Sequence, residues 1–194
     1  MKEQLKAVDI VIVPPDHIQD VAIDLSKKVF GSTFVLGRTE YIPHISLYMG
    51  YAVDVEKIGE QVAESLKGEL PFDLVVEGIK TGASPIMDIR KSLDLRRLHY
   101  KLFSAVRLVN DRREPEAYMD GVARDETLNY ISSFRQKHAR LSFLPHITLG
   151  AGVLPEGSVV VELPIEFKAK TVALFHLGNY NTCRRLLKKW ELGV

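Results

Sequence analysis

Phe143-Leu144-Pro145-His146-Ile147-Thr148-Leu149 repeats an earlier stretch, Tyr41-Ile42-Pro43-His44-Ile45-Ser46-Leu47. Both read aromatic, aliphatic, Pro, His, Ile, hydroxyl residue, Leu. Side chains alternate faces along a β-strand, so a residue and the one two positions on project together. Each copy therefore aims a His and a Ser or Thr at one side and sends Ile and Leu into a core behind. Proline has no donor for a ladder, which suits the first position of a strand or a sheet edge. The copies lie 102 residues apart (146 minus 44) and imply a duplicated architecture whose two His and two hydroxyls meet in one cleft.

Working outward, 194 residues fit one domain, or two small lobes sharing a core. Hydrophobic residues at 46% and charged residues at 26% match a folded globular chain and exclude a disordered one. A net charge of +1 provides no global basic field for nonspecific nucleic-acid binding, although local groups can still hold a small anion. The single cysteine, Cys183, rules out an intramolecular disulfide and a cysteine-rich metal site. The opening Met1–Val13 carries Lys2, Lys6 and an apolar run, as a signal peptide would. Asp9 interrupts that run, however, Pro14-Pro15 ends it, and no small-residue cleavage site follows. No apolar stretch approaches the roughly 20 residues that span a bilayer. The expectation is a cytoplasmic protein without a membrane partner.

Ala7 to Val13 (AVDIVIV) has the β-branched, apolar pattern of a buried strand. Asp16, with Gln19 three residues later, resembles a helix N-cap ahead of Ile18, Val21, Ala22, Leu25 and Val29. The first His strand covers about 44–52, and Asp54 opens a second helix facing inward through Val55, Ile58, Val62 and Leu66. Phe72, Leu74 and Val76 mark a half-buried strand, with Ile86 to Lys91 returning from the Thr81–Pro85 turn. Ser92 caps a third helix, 110–124 is charged and irregular, and Asp125 to about His138 is helical. Beyond the second His strand, Val159–Val161 reads as a short strand and Phe167–Leu177 as an alternating one. Thr182–Leu192 fits a last strand or a short basic helix. Helices mixed with hairpins, without regular βαβ alternation, give an α+β class.

Imidazole titrates near neutrality, so one neutral His can accept a proton while a protonated one donates. Two in a shared cleft can serve both sides of a phosphorus centre. The adjacent hydroxyls can hold the nonbridging oxygens, where transition-state charge collects. That scheme requires neither a metal nor a covalent intermediate.

These two motifs resemble the signature of the 2H phosphoesterase superfamily, named for its paired His-x-Thr/Ser motifs, and in particular its 2′-5′ RNA ligase/cyclic phosphodiesterase branch. The strand ending in Pro14-Pro15, the Phe72-x-Leu74 strand, the Leu95–Val109 helix and the closing Val172–Leu177 strand extend the resemblance over most of the chain. The resemblance implies one bilobal α+β domain over 1–194, with pseudo-twofold, duplicated antiparallel sheets and helices on the outside. It implies His44 and His146 as the acid–base pair, Ser46 and Thr148 as phosphate-binding hydroxyls, no metal or other cofactor, and a nucleotide or RNA-end substrate. The alternative is a non-catalytic nucleotide-binding module of the same fold. Two departures stand out. Gly150-Ala151-Gly152 follows the second motif where RNA-acting relatives often carry a basic residue, and 110–142 is long enough for a lid, a family-variable insertion or a dimerisation element.

Tyr48, two residues beyond Ser46, is expected on the His44 face as a candidate to stack on a base or bond a phosphate. Arg90 and Lys91 end a strand and read chiefly as solvated surface. His17, His99, His138 and His176 lack a partner motif, and no metal-binding His spacing is present.

Overall fold

The structure, a computed structural model, describes residues 5–194, so Lys2 lies outside the described residues. AVDIVIV forms the buried strand its composition predicts: β1 (Lys6–Val13) shows no exposure from Ala7 to Ile12. It lies inside the first antiparallel sheet, between β2 (Ile45–Ala52) and β9 (Thr171–Gly178), with β10 (Thr182–Glu191) outside β9. The second antiparallel sheet runs β6 (His146–Thr148), β5 (Ile86–Ile89), β3 (Phe72–Lys80), β8 (Ile165–Ala169). A two-stranded ribbon joins β4 (Gly82–Ala83) to β7 (Val153–Leu154). Both His motifs thus occupy end strands, where a preceding proline costs no ladder bond, and β2 and β6 meet. The fold is α+β and duplicated, as the sequence implies.

The helices are α1 (Asp16–Ser26), α2 (Val55–Leu66), α3 (Leu93–Ala105) and α4 (Asp125–Lys137). Asp54 caps α2 by accepting from the Glu56 and Lys57 N–H groups, and Ser92 caps α3 through Leu95 N–H, both as read from sequence. The α1 cap differs. Pro15 occupies the cap position, and Asp16 lies inside the first turn with its carboxylate 2.7 Å from Arg38. Among the described residues no helix is long and apolar enough to cross a membrane.

Partner availability settles one open alternative and overturns one expectation. Thr182–Glu191 is a strand, because β9 pairs with it along its length, with register shifts after Cys183 and Leu186. Val159–Val161 is irregular, since the pairing strand in that link is β7, and Val160 is exposed. The 110–142 stretch is anchored: Leu128, Ile131 and Phe134 are buried and α4 packs on β2. The buried Asn110 amide donates to the Met49 and Ile131 carbonyls at 2.8 and 2.9 Å.

The glycines after the second motif have a steric cause. A Cβ on Gly150 would sit 2.8 Å from Ser32 Oγ, and one on Gly152 would collide with the Phe30 carbonyl oxygen. Phe30 and Val153 also exchange backbone hydrogen bonds at 2.8 and 2.9 Å, clamping the α1 exit onto β7. Side chains are therefore excluded at Gly150 and Gly152. Gly152→Ala, facing backbone that cannot swing away, is expected to lower unfolding free energy by about 1–3 kcal/mol in denaturant titration. An unchanged midpoint would refute the clamp.

Candidate active site

Both histidines are held by the same local device. His44 Nδ1 lies 2.7 Å from the Ile42 carbonyl, and His146 Nδ1 lies 2.8 Å from the Leu144 carbonyl. A carbonyl only accepts, so each Nδ1 carries the proton and each Nε2 is left for the cleft. The prolines between carbonyl and His, Pro43 and Pro145, restrict the backbone on which this loop closes.

The rings converge. His44, Ser46, His146 and Thr148 all line one cavity of about 210 Å³ where β2 meets β6. A second cavity of about 650 Å³ adjoins it, sharing Ser46, Tyr130 and His146, so the two form one groove. Burial, and secondarily the nearby His146, pushes the His44 pKa down to about 4, although a donated bond to Ile42 opposes this. At neutral pH His44 is therefore an unprotonated imidazole.

Beneath the first motif sits a residue whose role the sequence left unread. Asp9, wholly buried on β1, lies within hydrogen-bond range of Ser46 Oγ at 2.6 Å and 3.9 Å from His44 Nε2. Its pKa is raised to about 8, chiefly by burial and against the Ser46 hydrogen bond. The signal was present: Asp9 is the one charged residue in AVDIVIV. Asp9, His44 and Cys183 bring one polar atom each within 4.8 Å of one another. Asp9 Oδ2 is engaged by Ser46, and burial holds both the acid and the Cys183 thiol protonated. With the acid and the thiol both protonated, the trio is not a ready cation site.

Solved structures share this architecture, although no protein-family model and no curated protein matches the sequence. Escherichia coli LigT in its apo form aligns with a TM-score of 0.58 over 97% of this chain and 98% of its own, at 16% identity. TT0787 of Thermus thermophilus gives 0.62 over 96% and 97%, at 18% identity. A crystal structure of a phosphoesterase gives 0.57 over 96% and 98%, at 16% identity. The fold is the LigT fold.

On this LigT-like frame the groove walls are chemically distinct. Around the smaller cavity Phe34 stacks on Tyr41 at 5.3 Å, Tyr180 lies tilted beside them at 5.9 Å, and Arg184 covers Tyr41. The larger cavity is lined by Lys80, Arg90, Lys91 and His138, with Lys80 paired to Asp88 and Arg90 to Glu77. Arg90 and Lys91, read as surface, thus face the groove. Tyr130 of α4 lines both cavities and stacks on His138 at 4.1 Å. Burial, with neighbouring Asp9 adding to it, pushes its hydroxyl pKa to about 12, so it stays a donor.

Tyr48 requires a correction. It is fully buried, lines neither cavity, accepts from Arg135 at 2.7 Å and packs on Phe103 and Phe134. The cause is a β-bulge: Val11 pairs with Ser46 but Ile10 with Tyr48, so Leu47 is an extra residue and the alternation changes phase. Met49 continues the cleft-facing row instead. Tyr48→Phe is expected to cost about 1 kcal/mol of stability while leaving ligand affinity unchanged by calorimetric titration. A weakened affinity would restore Tyr48 to the site.

Asp9 also makes a stability prediction. The folded protein keeps this proton up to about 8, whereas an ordinary Asp ionises near 3.8. Its contribution is therefore fully present below about 3.8 and is lost as pH rises towards about 8. Asp9→Asn is expected to melt higher than the wild type at alkaline pH, with the gap closing as pH falls towards the ordinary Asp value. Parallel melting curves at every pH would contradict this.

Proposed function

We propose that this protein is a metal-independent phosphodiesterase that hydrolyses 2′,3′-cyclic phosphate or 2′-5′ phosphodiester bonds of nucleotides or RNA ends. The observation that carries this reading is the pair of identically pinned imidazoles, each with a free Nε2 and a hydroxyl neighbour, lining one cleft. In the hydrolytic direction His44, held neutral by burial, accepts the proton of the attacking water at Nε2. The water oxygen bonds to phosphorus as the bond to the ribose oxygen breaks, and His146, entering the cycle as the imidazolium with a second proton on Nε2, protonates that leaving oxygen. Ser46 and Thr148 donate hydrogen bonds to the nonbridging oxygens as charge builds on them. An anionic substrate favours the protonated form of the imidazole beside it, which brings His44 towards the range of an effective base.

The groove walls fit such a substrate. The Phe34, Tyr41 and Tyr180 wall offers a face for a nucleobase, and Lys80, Arg90 and Lys91 offer charge to further phosphates. These cations supply what Gly150-Ala151-Gly152 cannot. Solved structures of E. coli LigT contain phosphate, NADP+, ATP or 3′-AMP, which supports a nucleotide ligand for this fold. Residues 110–142 act as the variable insertion that bounds substrate length, through Tyr130, Phe134, His138 and Ser142 on one wall.

The test uses nucleoside 2′,3′-cyclic phosphates and 2′-5′-linked dinucleotides in excess chelator. Wild-type turnover is expected to persist, and His44→Ala or His146→Ala to lower kcat by about 10²–10⁴-fold. Activity lost to chelator, or retained in either variant, overturns the mechanism. Binding without turnover identifies a nucleotide-binding module instead.

A further inference from the structure

We propose that Asp9, acting as a neutral carboxylic acid, is a positioning residue whose own proton frees the Ser46 hydroxyl to donate to a phosphoryl oxygen. This inference rests on the phosphodiesterase reading above. A serine hydroxyl has one proton to give. Ser46 Oγ lies 2.6 Å from Asp9 Oδ2, so the two must share whatever protons they hold between them. An ionised Asp9 is an acceptor only; Ser46 would then give its proton inward and turn lone pairs towards an incoming anion. A protonated Asp9 donates its O–H across the same contact, and the Ser46 proton points into the cleft.

The surroundings of Asp9 select the protonated form. It is fully buried. From β2 and the turn before it, Ser46 and His44 face it, and His44 Nε2 at 3.9 Å is beyond hydrogen-bond range. Among the described residues Cys183 of β10 and Tyr130 of α4 are further ionisable neighbours, both protonated at neutral pH, and the β9 residue paired with Asp9 is Phe175. Among the described residues no Lys or Arg forms an ion pair with it, and Asp9 Oδ1 has no hydrogen-bond partner. A carboxylate in that position would be a buried charge with one oxygen unsatisfied, which is costly; a neutral acid leaves only a single carbonyl-type oxygen unpaired. Burial accordingly pushes the Asp9 pKa to about 8. Thr148 makes no such contact with an acid among the described residues, so the two hydroxyls differ. Only the one in the first motif is under proton control.

The experiment pairs a direct titration with a variant. Carboxyl ¹³C NMR of the wild type is expected to show one aspartate titrating near pH 8 that is missing in Asp9→Asn. An Asn amide donates to Ser46 at every pH, so Asp9→Asn is expected to retain kcat/KM for a nucleoside 2′,3′-cyclic phosphate within about threefold at neutral pH. The ratio of wild-type to Asp9→Asn kcat/KM cancels the titrations the two share. It is expected to stay level up to about pH 8 and then fall by up to about tenfold per pH unit. Ser46→Ala is expected to flatten most of that fall. An aspartate that titrates in the ordinary carboxylate range, a level ratio at all pH values, or a folded but inactive Asp9→Asn overturns the inference and leaves the phosphodiesterase reading standing. If the wild type shows no turnover, that reading fails on its own. The same ratio is then measured from the affinity for inorganic phosphate, and a level ratio there overturns the proton control as well.

Discussion

The meeting of the two motifs depends on a histidine that belongs to neither. His99 of α3 is fully buried, with Nδ1 2.7 Å from the Leu47 carbonyl in the first motif strand and Nε2 accepting from Arg140 N–H at 2.9 Å. Its ring stacks on Phe143, the aromatic residue that opens the second motif, at 4.1 Å and nearly parallel. One neutral imidazole therefore ties the bulge of β2 to the approach of β6, and burial keeps it neutral. Both ring nitrogens are satisfied, which a buried polar ring requires. Neither a Leu nor a Phe could make both hydrogen bonds.

The repeated heptapeptide made the fold and the placement of four site residues legible, because a period of two fixes which side chains share a face. His44, Ser46, His146 and Thr148 do line one cavity. The same rule misplaced Tyr48, since a bulge is decided by pairing with β1 and leaves no trace in Ile45–Ala52 alone. Asp9 was visible as an oddity in an apolar strand. Its meaning required the neighbouring strand, because an acid and a serine 37 positions apart do not announce a contact. The aromatic wall was harder still: Phe34 and Tyr41 come from the loop between α1 and β2, Tyr180 from the turn between β9 and β10, and only tertiary packing brings them together. His99 looked ordinary for the same reason.

The duplication is faithful in backbone device and unequal in chemistry. Each Pro-His step pins its imidazole to the carbonyl two residues back, yet the first motif rests on a protonated acid and a thiol while the second borders the basic, wider part of the groove. Asymmetry of this kind lets two copies of one motif take opposite proton-transfer roles, since environment separates the basicity of like groups.

The strand order carries a consequence for how the chain reaches this state. β1 is sandwiched between β2 and β9, and its paired residues Ile12 and Val172 lie 160 positions apart (172 minus 12). The second sheet is therefore inserted within the first, and the first cannot close until the C-terminal strands are available. During synthesis β1 and β2 must wait as an open antiparallel pair, while β3 and β5 can already pair. Non-local closure of this sort slows folding. The cleft, built where both sheets end, is among the last features to be completed.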